Sequence, residues 1–115
     1  MPSGVARTTG RLFLERAPAM LVLVCFSALG QTTFQATMEH YRFDPAELHI
    51  KVGDTVRWTN HEKRTSHSVL FPAEGGLESD RLFPDESWSR QFTQPGRHEY
   101  RCGPHPEMKG VVFVE

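Results

Sequence analysis

A short segment near the carboxyl terminus, residues 102–108 (CGPHPEM), carries three side chains that bind soft metal ions. Cys102, His105 and Met108 follow one another at C-x2-H-x2-M spacing. Sulfur ligands favour copper(I), imidazole binds copper in either common oxidation state, and two histidines with one cysteine and a weak axial methionine form the ligand set of blue-copper electron-transfer sites. A lone cysteine is by default a buried structural thiol. A thiol, an imidazole and a thioether at this spacing instead predict a copper site.

The second histidine of such a site must come from another part of the chain. His67 is the candidate, because it lies at the start of an apolar stretch that reads as a strand. A single histidine on a strand is more often a hydrogen-bonded surface or core residue, and His61, near the same connection, is a competing candidate. His40, His49 and His98 are interpreted as non-ligands.

Two prolines, Pro104 and Pro106, flank His105. Each fixes one backbone φ angle and removes one N–H donor, so the pair should stiffen the segment. His105 is expected to be the exposed ligand, and the edge of its ring the port through which an electron passes.

The amino-terminal residues resemble an export signal rather than part of a folded domain. Three arginines, at positions 7, 11 and 16, precede an apolar run over residues 17–29 that ends in small residues. We expect a signal peptide over residues 1–30 and a mature chain that begins near Gln31. The run is short for a membrane span, so the mature form should not cross a membrane; an uncleaved anchor is the alternative.

Loss of residues 1–30 would leave one small domain, residues 31–115, expected to be monomeric. It would carry ten Lys and Arg against thirteen Asp and Glu, a net charge of −3, which argues against nucleic-acid binding. Cys102 would be its only cysteine, which excludes an internal disulfide. A lone thiol in an oxidising compartment needs an explanation, and metal ligation supplies one.

Short alternating segments separated by Pro and Gly turns predict an all-β domain. Residues 72–86 are interpreted as a long acidic surface loop, and Glu47 to Val52 and Thr55 to Asn60 as two strands joined by a tight turn. The remaining predicted strands span residues 32–41, 66–71, 87–93, 97–102 and 110–115. This pattern without a helical period is typical of an antiparallel β-sandwich, in which Trp58, Trp88 and Tyr100 are expected to be core aromatics.

From about residue 43 to residue 115 the chain resembles the cupredoxins of the plastocyanin and amicyanin group, and its short metal-binding loop is most similar to that of amicyanin. The likeness is carried by residues 45–56, 58–60, 66–69, 96–102 and 102–110. The resemblance implies a Greek-key β-sandwich and a type 1 site for one copper ion, with His67, Cys102 and His105 as close ligands and Met108 as the weak axial ligand. It also implies one-electron transfer between periplasmic partners, such as a c-type cytochrome or a dehydrogenase.

Two residues depart from the pattern of this group. Ser68 stands where relatives commonly place an asparagine whose side chain ties together the two ligand-bearing segments. Glu107 stands where an amicyanin-like loop has an apolar residue, and it adds a negative charge beside the expected docking surface.

A copper chaperone or sequestering protein is the alternative function, although the chain lacks a methionine-rich tract. An enzyme is not expected, because a catalytic copper site needs an open coordination position or a second metal. A dinuclear electron-transfer centre would require a second cysteine.

Overall fold

The computed structural model describes residues 30–115, in which nine β-strands and no helix occur. Except for Gly30, the predicted signal peptide lies outside the described residues. Among residues 30–115 no helix is long and apolar enough to cross a membrane. The strands are β1 (Thr33–Glu39), β2 (Arg42–Asp44), β3 (Glu47–Ile50), β4 (Thr55–Asn60), β5 (Leu70–Phe71), β6 (Leu77–Glu78), β7 (Ser87–Gln91), β8 (Gly96–Arg101) and β9 (Lys109–Val114).

The strands form two sheets, which confirms the predicted all-β sandwich. One sheet has the order β2-β1-β4-β7 and the other the order β3-β9-β8-β5-β6. Most neighbouring strands are antiparallel, as predicted, but β1 with β4 and β3 with β9 are parallel. Parallel neighbours need long connections between them, and here those connections pass from one sheet to the other.

An aromatic cluster fills the space between the two sheets. Trp58 on β4 is fully buried and makes edge or tilted contacts with Phe71, Phe92 and Tyr100, at ring-centroid distances of 5.2 to 6.4 Å. Trp88 on β7 is half-buried and stacks on Trp58 at 5.6 Å. Large aromatic rings contribute much of the apolar area that a small domain can bury, and this cluster forms the core between the two sheets.

β3 and β4 are joined by a tight turn, as predicted, in which the Asp54 N–H donates to the Lys51 carbonyl at 3.0 Å, but the two strands belong to different sheets and do not pair with each other. Asp54 in the connection is only 4% exposed, and its carboxylate accepts hydrogen bonds from the backbone N–H groups of Lys51 and Thr32. Gly53 has φ 100°, a value that favours glycine. The Gly-Asp pair therefore forms a crossover between the sheets, and Val52, predicted to be in the first of the two strands, follows the end of β3 and is 48% exposed.

The predicted first strand is interrupted by a turn that has no usual turn residues. β1 and β2 pair with Glu39 opposite Arg42, so His40 and Tyr41 form a two-residue hairpin loop. Both have positive φ, 58° and 56°, as a two-residue type I′ turn requires. Asn and Gly normally occupy these positions, which is why the sequence pattern predicted a first strand that runs through residue 41.

The segments around His67 also differ from their predicted forms. Only Leu70 and Phe71 of the predicted strand 66–71 are in a strand. The predicted surface loop 72–86 contains the short strand β6. After β6 the loop passes next to His67, where Leu82 is only 5% exposed. Leu82 thereby becomes part of the framework of the candidate site.

Candidate metal centre

Cys102 and Met108 begin and end a closed loop between β8 and β9. The N–H of Cys102 donates to the carbonyl of Met108 at 2.9 Å, and the N–H of Met108 donates to the carbonyl of His105 at 2.9 Å. Cys102 is fully buried and Met108 is 3% exposed, whereas Pro104 and Pro106 are exposed and His105 is half-buried. The loop therefore turns its two sulfur side chains inward and keeps His105 near the surface, as the sequence suggested for His105.

His67 reaches the same place from a different part of the chain. Its backbone N–H donates to the Leu82 carbonyl at 3.1 Å, and the Leu82 N–H donates back to the His67 carbonyl at 2.7 Å. This isolated bridge holds His67 without a regular strand, and the imidazole is fully buried.

Three potential ligand atoms converge at the end of the sandwich. The Nδ1 atoms of His67 and His105 are 3.1 Å apart, and Cys102 Sγ lies 3.5 Å from the first and 3.4 Å from the second. The centre of this triangle is about 2 Å from each of the three atoms. This distance is close to the ~2.0 to 2.3 Å bonds that nitrogen and sulfur ligands make to an ion such as Zn²⁺. Within residues 30–115 this is the one cluster of three such ligands.

Glu62 determines which nitrogen of His67 is available to a metal. The Glu62 carboxylate lies 2.8 Å from His67 Nε2. An ionised carboxylate only accepts hydrogen bonds, so Nε2 carries the proton and Nδ1 presents its lone pair to the centre. Burial opposes ionisation of Glu62, but hydrogen bonds from His67 and from the Tyr41 N–H outweigh it and hold the pKa of Glu62 below its usual value.

Asn60 fixes the loop that carries Glu62. Its side-chain amide is fully buried, donates to the carbonyls of Thr65 and Leu82 at 2.8 and 2.9 Å, and accepts from the Glu62 N–H at 2.8 Å. Neither Asn60 nor Glu62 stands out in the sequence pattern as a functional residue. An acidic residue five positions before a candidate histidine ligand is the signal that could have indicated Glu62.

The surroundings of Cys102 are arranged for a bound sulfur rather than a free reactive thiol. Burial raises the pKa of the Cys102 thiol, and the Ser68 N–H, 3.4 Å from Sγ, opposes this effect. A buried thiol of raised pKa is poorly reactive with solvent oxidants. A metal that displaces the thiol proton would gain a thiolate already provided with a backbone hydrogen-bond donor.

Tyr41 covers both histidines from the solvent side. Its ring is edge-on to His105 at a centroid distance of 4.8 Å and to His67 at 5.5 Å. The phenol oxygen is 3.1 Å from the Thr65 hydroxyl, and 51% of the residue remains exposed. The unusual β1–β2 turn thus places an aromatic ring on the site, a feature the sequence analysis did not anticipate.

The remaining histidines lie apart from this cluster. His61 is exposed, so it does not compete with His67, and His40 is exposed in the β1–β2 turn. His49 is exposed and stacks on Phe113. His98 is 8% exposed and lies between the Glu74 carboxylate at 2.8 Å and the Gln94 carbonyl at 2.9 Å.

A two-sheet β-sandwich that gathers a buried thiol and two imidazole nitrogens between loops at one end defines a mononuclear metal protein of the cupredoxin class. Residues 30–115 match the family of copper binding proteins described as the plastocyanin/azurin family. The chain belongs to this family, and copper is the metal that its soft, mixed sulfur and nitrogen donors suit.

Individual relatives agree with this assignment. The chain is 41% identical over 78 residues to amicyanin of Paracoccus denitrificans, which covers 64% of this chain and 59% of the relative. It is also 41% identical, over 78 residues, to amicyanin-alpha of Methylorubrum extorquens, an alignment that covers 64% of this chain and 65% of the relative. A plastocyanin of Tetradesmus obliquus is 34% identical over 64% of this chain and 58% of that protein. The alignments thus span about three fifths of the length of these relatives.

Solved structures of amicyanin variants have the same fold. The oxidized form of a methionine-to-leucine mutant of amicyanin superimposes with a TM-score of 0.68 at 35% identity, over 71% of this chain and 81% of that one. The Cu(I) form of a methionine-to-alanine mutant of amicyanin gives 0.68 at 34% identity, over 72% and 82%.

Proposed function

We propose that this protein is a type 1 copper electron carrier, with His67, Cys102 and His105 as the close ligands of one copper ion and Met108 as its weak axial ligand. The observation that carries the proposal is the convergence of two histidine Nδ1 atoms and one cysteine Sγ within 3.5 Å of one another in a site that is largely buried. Membership in a copper-binding family supports copper over other metals.

Bound copper supplies a one-electron couple, Cu(I) and Cu(II), and the protein supplies a frame that changes little between them. The Glu62 carboxylate orients His67, the Leu82 backbone holds it in place, and the hydrogen bonds of the 102–108 loop fix Cys102 relative to Met108. His105, half-buried between two exposed prolines, provides the path from the buried site to a partner at the surface.

The place of action follows from the amino-terminal sequence. We propose that residues 1–30 are a signal peptide removed on export, and that the domain of residues 31–115 works in the periplasm as a monomer. Three arginines followed by an apolar run support this proposal. Its partners would be redox proteins, such as a c-type cytochrome or a periplasmic dehydrogenase.

Copper storage or delivery is the alternative function. A copper chaperone must surrender its metal readily, which needs ligands that solvent or a partner can reach. Here His67 and Cys102 are fully buried and Met108 is 3% exposed. Their burial favours the electron carrier, and competition with a copper(I) chelator separates the two functions, because rapid surrender of the metal would indicate a chaperone.

The test uses the full chain expressed in a Gram-negative host and the product recovered from the periplasm. Its mass gives the cleavage site, and an intact leader would overturn the assignment of residues 1–30 as a signal peptide. Visible absorption and EPR spectra of the Cu(II)-loaded protein come next. We expect an intense thiolate-to-copper band, a small copper hyperfine splitting and reversible reduction and oxidation. A weak band with an ordinary tetragonal signal would reject the type 1 site.

Cys102→Ser and His61→Ala provide the matched pair for the ligand assignment. The first should lose the intense band because it removes the thiolate, whereas the second should keep it because His61 is exposed and outside the cluster. If His61→Ala lost the band and His67→Ala kept it, His61 rather than His67 would be the second histidine ligand.

A further inference from the structure

Ser68 joins the two segments that carry the candidate ligands. It directly follows His67 and is 1% exposed. The Gly103 N–H, next to Cys102, donates to Ser68 Oγ at 2.9 Å, and the Ser68 N–H faces Cys102 Sγ at 3.4 Å. One residue therefore contacts both the backbone after Cys102 and the sulfur itself.

The direction of the Ser68 hydroxyl is determined by Glu78. Ser68 Oγ–H donates to the Glu78 carboxylate at 2.7 Å. A serine hydroxyl has one proton, so while Glu78 accepts that proton the lone pairs of Oγ remain for the Gly103 N–H. A hydrogen bond to an ionised carboxylate is stronger than a neutral one, and it polarises the hydroxyl toward accepting from Gly103.

The absence of a side chain at Gly103 leaves room for this arrangement. A Cβ at position 103 would collide with the Glu78 carboxylate and would lie 2.6 Å from Ser68 Oγ. Both atoms would have to move away. The chain of hydrogen bonds and the missing side chain at position 103 thus depend on each other.

We propose that Glu78, Ser68 and Gly103 form a hydrogen-bonded strap that positions Cys102, with Glu78 as a positioning residue of the metal centre. The serine side chain is short, and the carboxylate supplied by β6 holds its hydroxyl between the two segments. The negative charge of Glu78 also lies near the sulfur, so it should favour Cu(II) over Cu(I). This second effect rests on the proposed copper function, whereas the strap itself does not.

Amide hydrogen exchange of Gly103, measured by NMR on the reduced Cu(I) protein, tests the strap directly. Loss of a hydrogen bond of this kind should raise the Gly103 exchange rate about tenfold. We expect this increase in Ser68→Ala and Glu78→Ala. Glu78→Gln keeps an accepting oxygen, so its Gly103 exchange rate should stay within about twofold of wild type. Glu47→Ala, at an exposed site on β3, is the matched control and should leave Gly103 unchanged.

The reduction potential separates the role of the charge from that of the hydrogen bond. Glu78→Ala and Glu78→Gln should both raise it, because both remove a negative charge near the sulfur, while only Glu78→Ala should also speed Gly103 exchange. Unchanged Gly103 exchange in Glu78→Ala, or equal acceleration of all amides of the 102–108 loop, would overturn the proposal. If the wild-type protein formed no type 1 site, the same exchange measurement on metal-free protein would still test the strap, so the two failures are distinguishable.

Discussion

Glu62 fixes the proton of His67 on Nε2, and its contribution to the site can be measured as metal affinity. Glu62→Ala removes the carboxylate that accepts the hydrogen bond from His67 Nε2. The proton of the neutral imidazole can then move to Nδ1, the atom that would bind the metal. We expect the affinity for copper(I) to fall by about 10- to 100-fold, the usual effect of losing such an outer hydrogen bond. Competition with a copper(I) chelator measures the change.

Glu39→Ala is the control for this experiment, because the Glu39 carboxylate is exposed and lies 4.0 Å from the ring of His40, which is not a candidate ligand. Equal affinities in the wild-type and Glu62→Ala proteins would show that the imidazole orients itself without the carboxylate.

At the residue scale, sequence reasoning found what lies close together along the chain. Cys102, His105 and Met108 are neighbours in sequence, so their spacing alone indicated a metal site. His67 was the candidate because it lies at the start of an apolar stretch, the family resemblance supported it, and the structure places it with Cys102 and His105. Glu62 lies five residues before His67, a spacing that could have indicated it, whereas the hydrogen bonds from Asn60 to Leu82 and from Ser68 to Glu78 join segments 22 and 10 residues apart and have no local signal.

At the scale of the elements, the β1–β2 turn is the clearest deviation from local preference. His40 adopts φ 58°, in the left-handed region that few residues other than glycine occupy. Asparagine adopts this region more easily, so His40→Asn should raise the free energy of unfolding of the metal-free protein by about 0.5 to 1 kcal/mol. Urea denaturation measures the change.

His49→Asn on β3 is a matched comparison, because asparagine is unfavourable in an extended strand and the substitution should not stabilise. A stability of His40→Asn at or below that of wild type would mean that the side chain of His40 makes interactions worth more than the backbone strain.

The same turn explains part of what sequence patterns missed about the strands. Without Asn or Gly at positions 40 and 41, nothing local indicated that β1 ends at Glu39. The strands β7, β8 and β9 lie close to their predicted ranges, because their alternation and the Gln94-Pro95-Gly96 turn are local signals. The pairing of β3 and β4 with different sheets is a property of the whole sandwich and has no local signal.

At the scale of the whole molecule, Glu74 connects the two sheets. It pairs with Arg90 on β7 at 2.6 Å and with His98 on β8 at 2.8 Å. Burial opposes its ionisation, but the hydrogen bonds from Arg90 and His98 prevail and keep the pKa of Glu74 below its usual value of 4.5. A carboxyl whose folded-state pKa is depressed stabilises the fold above its unfolded pKa, and this contribution is lost as the pH falls through the folded pKa.

Glu74→Gln should therefore lower the free energy of unfolding by about 1 kcal/mol at pH 7, and the difference from wild type should shrink as the pH falls below 4.5. Urea denaturation of both proteins between pH 3 and pH 7, without metal, gives this difference. A gap that stays constant with pH would show that the amide loses packing rather than charge. Glu99→Gln, an exposed carboxylate paired only with Arg97, should show no comparable pH-dependent gap.

The charge around the port is the last property of the whole molecule that bears on function. Glu107 is exposed, two residues after His105, in a domain of net charge −3 between residues 31 and 115. Charges at the edge of a docking surface change association rates and their salt dependence more than affinity. Glu107→Gln should therefore slow electron exchange with a basic redox partner severalfold at low ionic strength and make the rate less sensitive to salt.

Stopped-flow kinetics with a basic cytochrome c at several salt concentrations measures both effects. Glu115→Gln is the control, because its net charge equals that of Glu107→Gln. Equal rates for the two variants would mean that only the overall charge steers the partner; a slower rate for Glu107→Gln alone would locate the docking surface around His105.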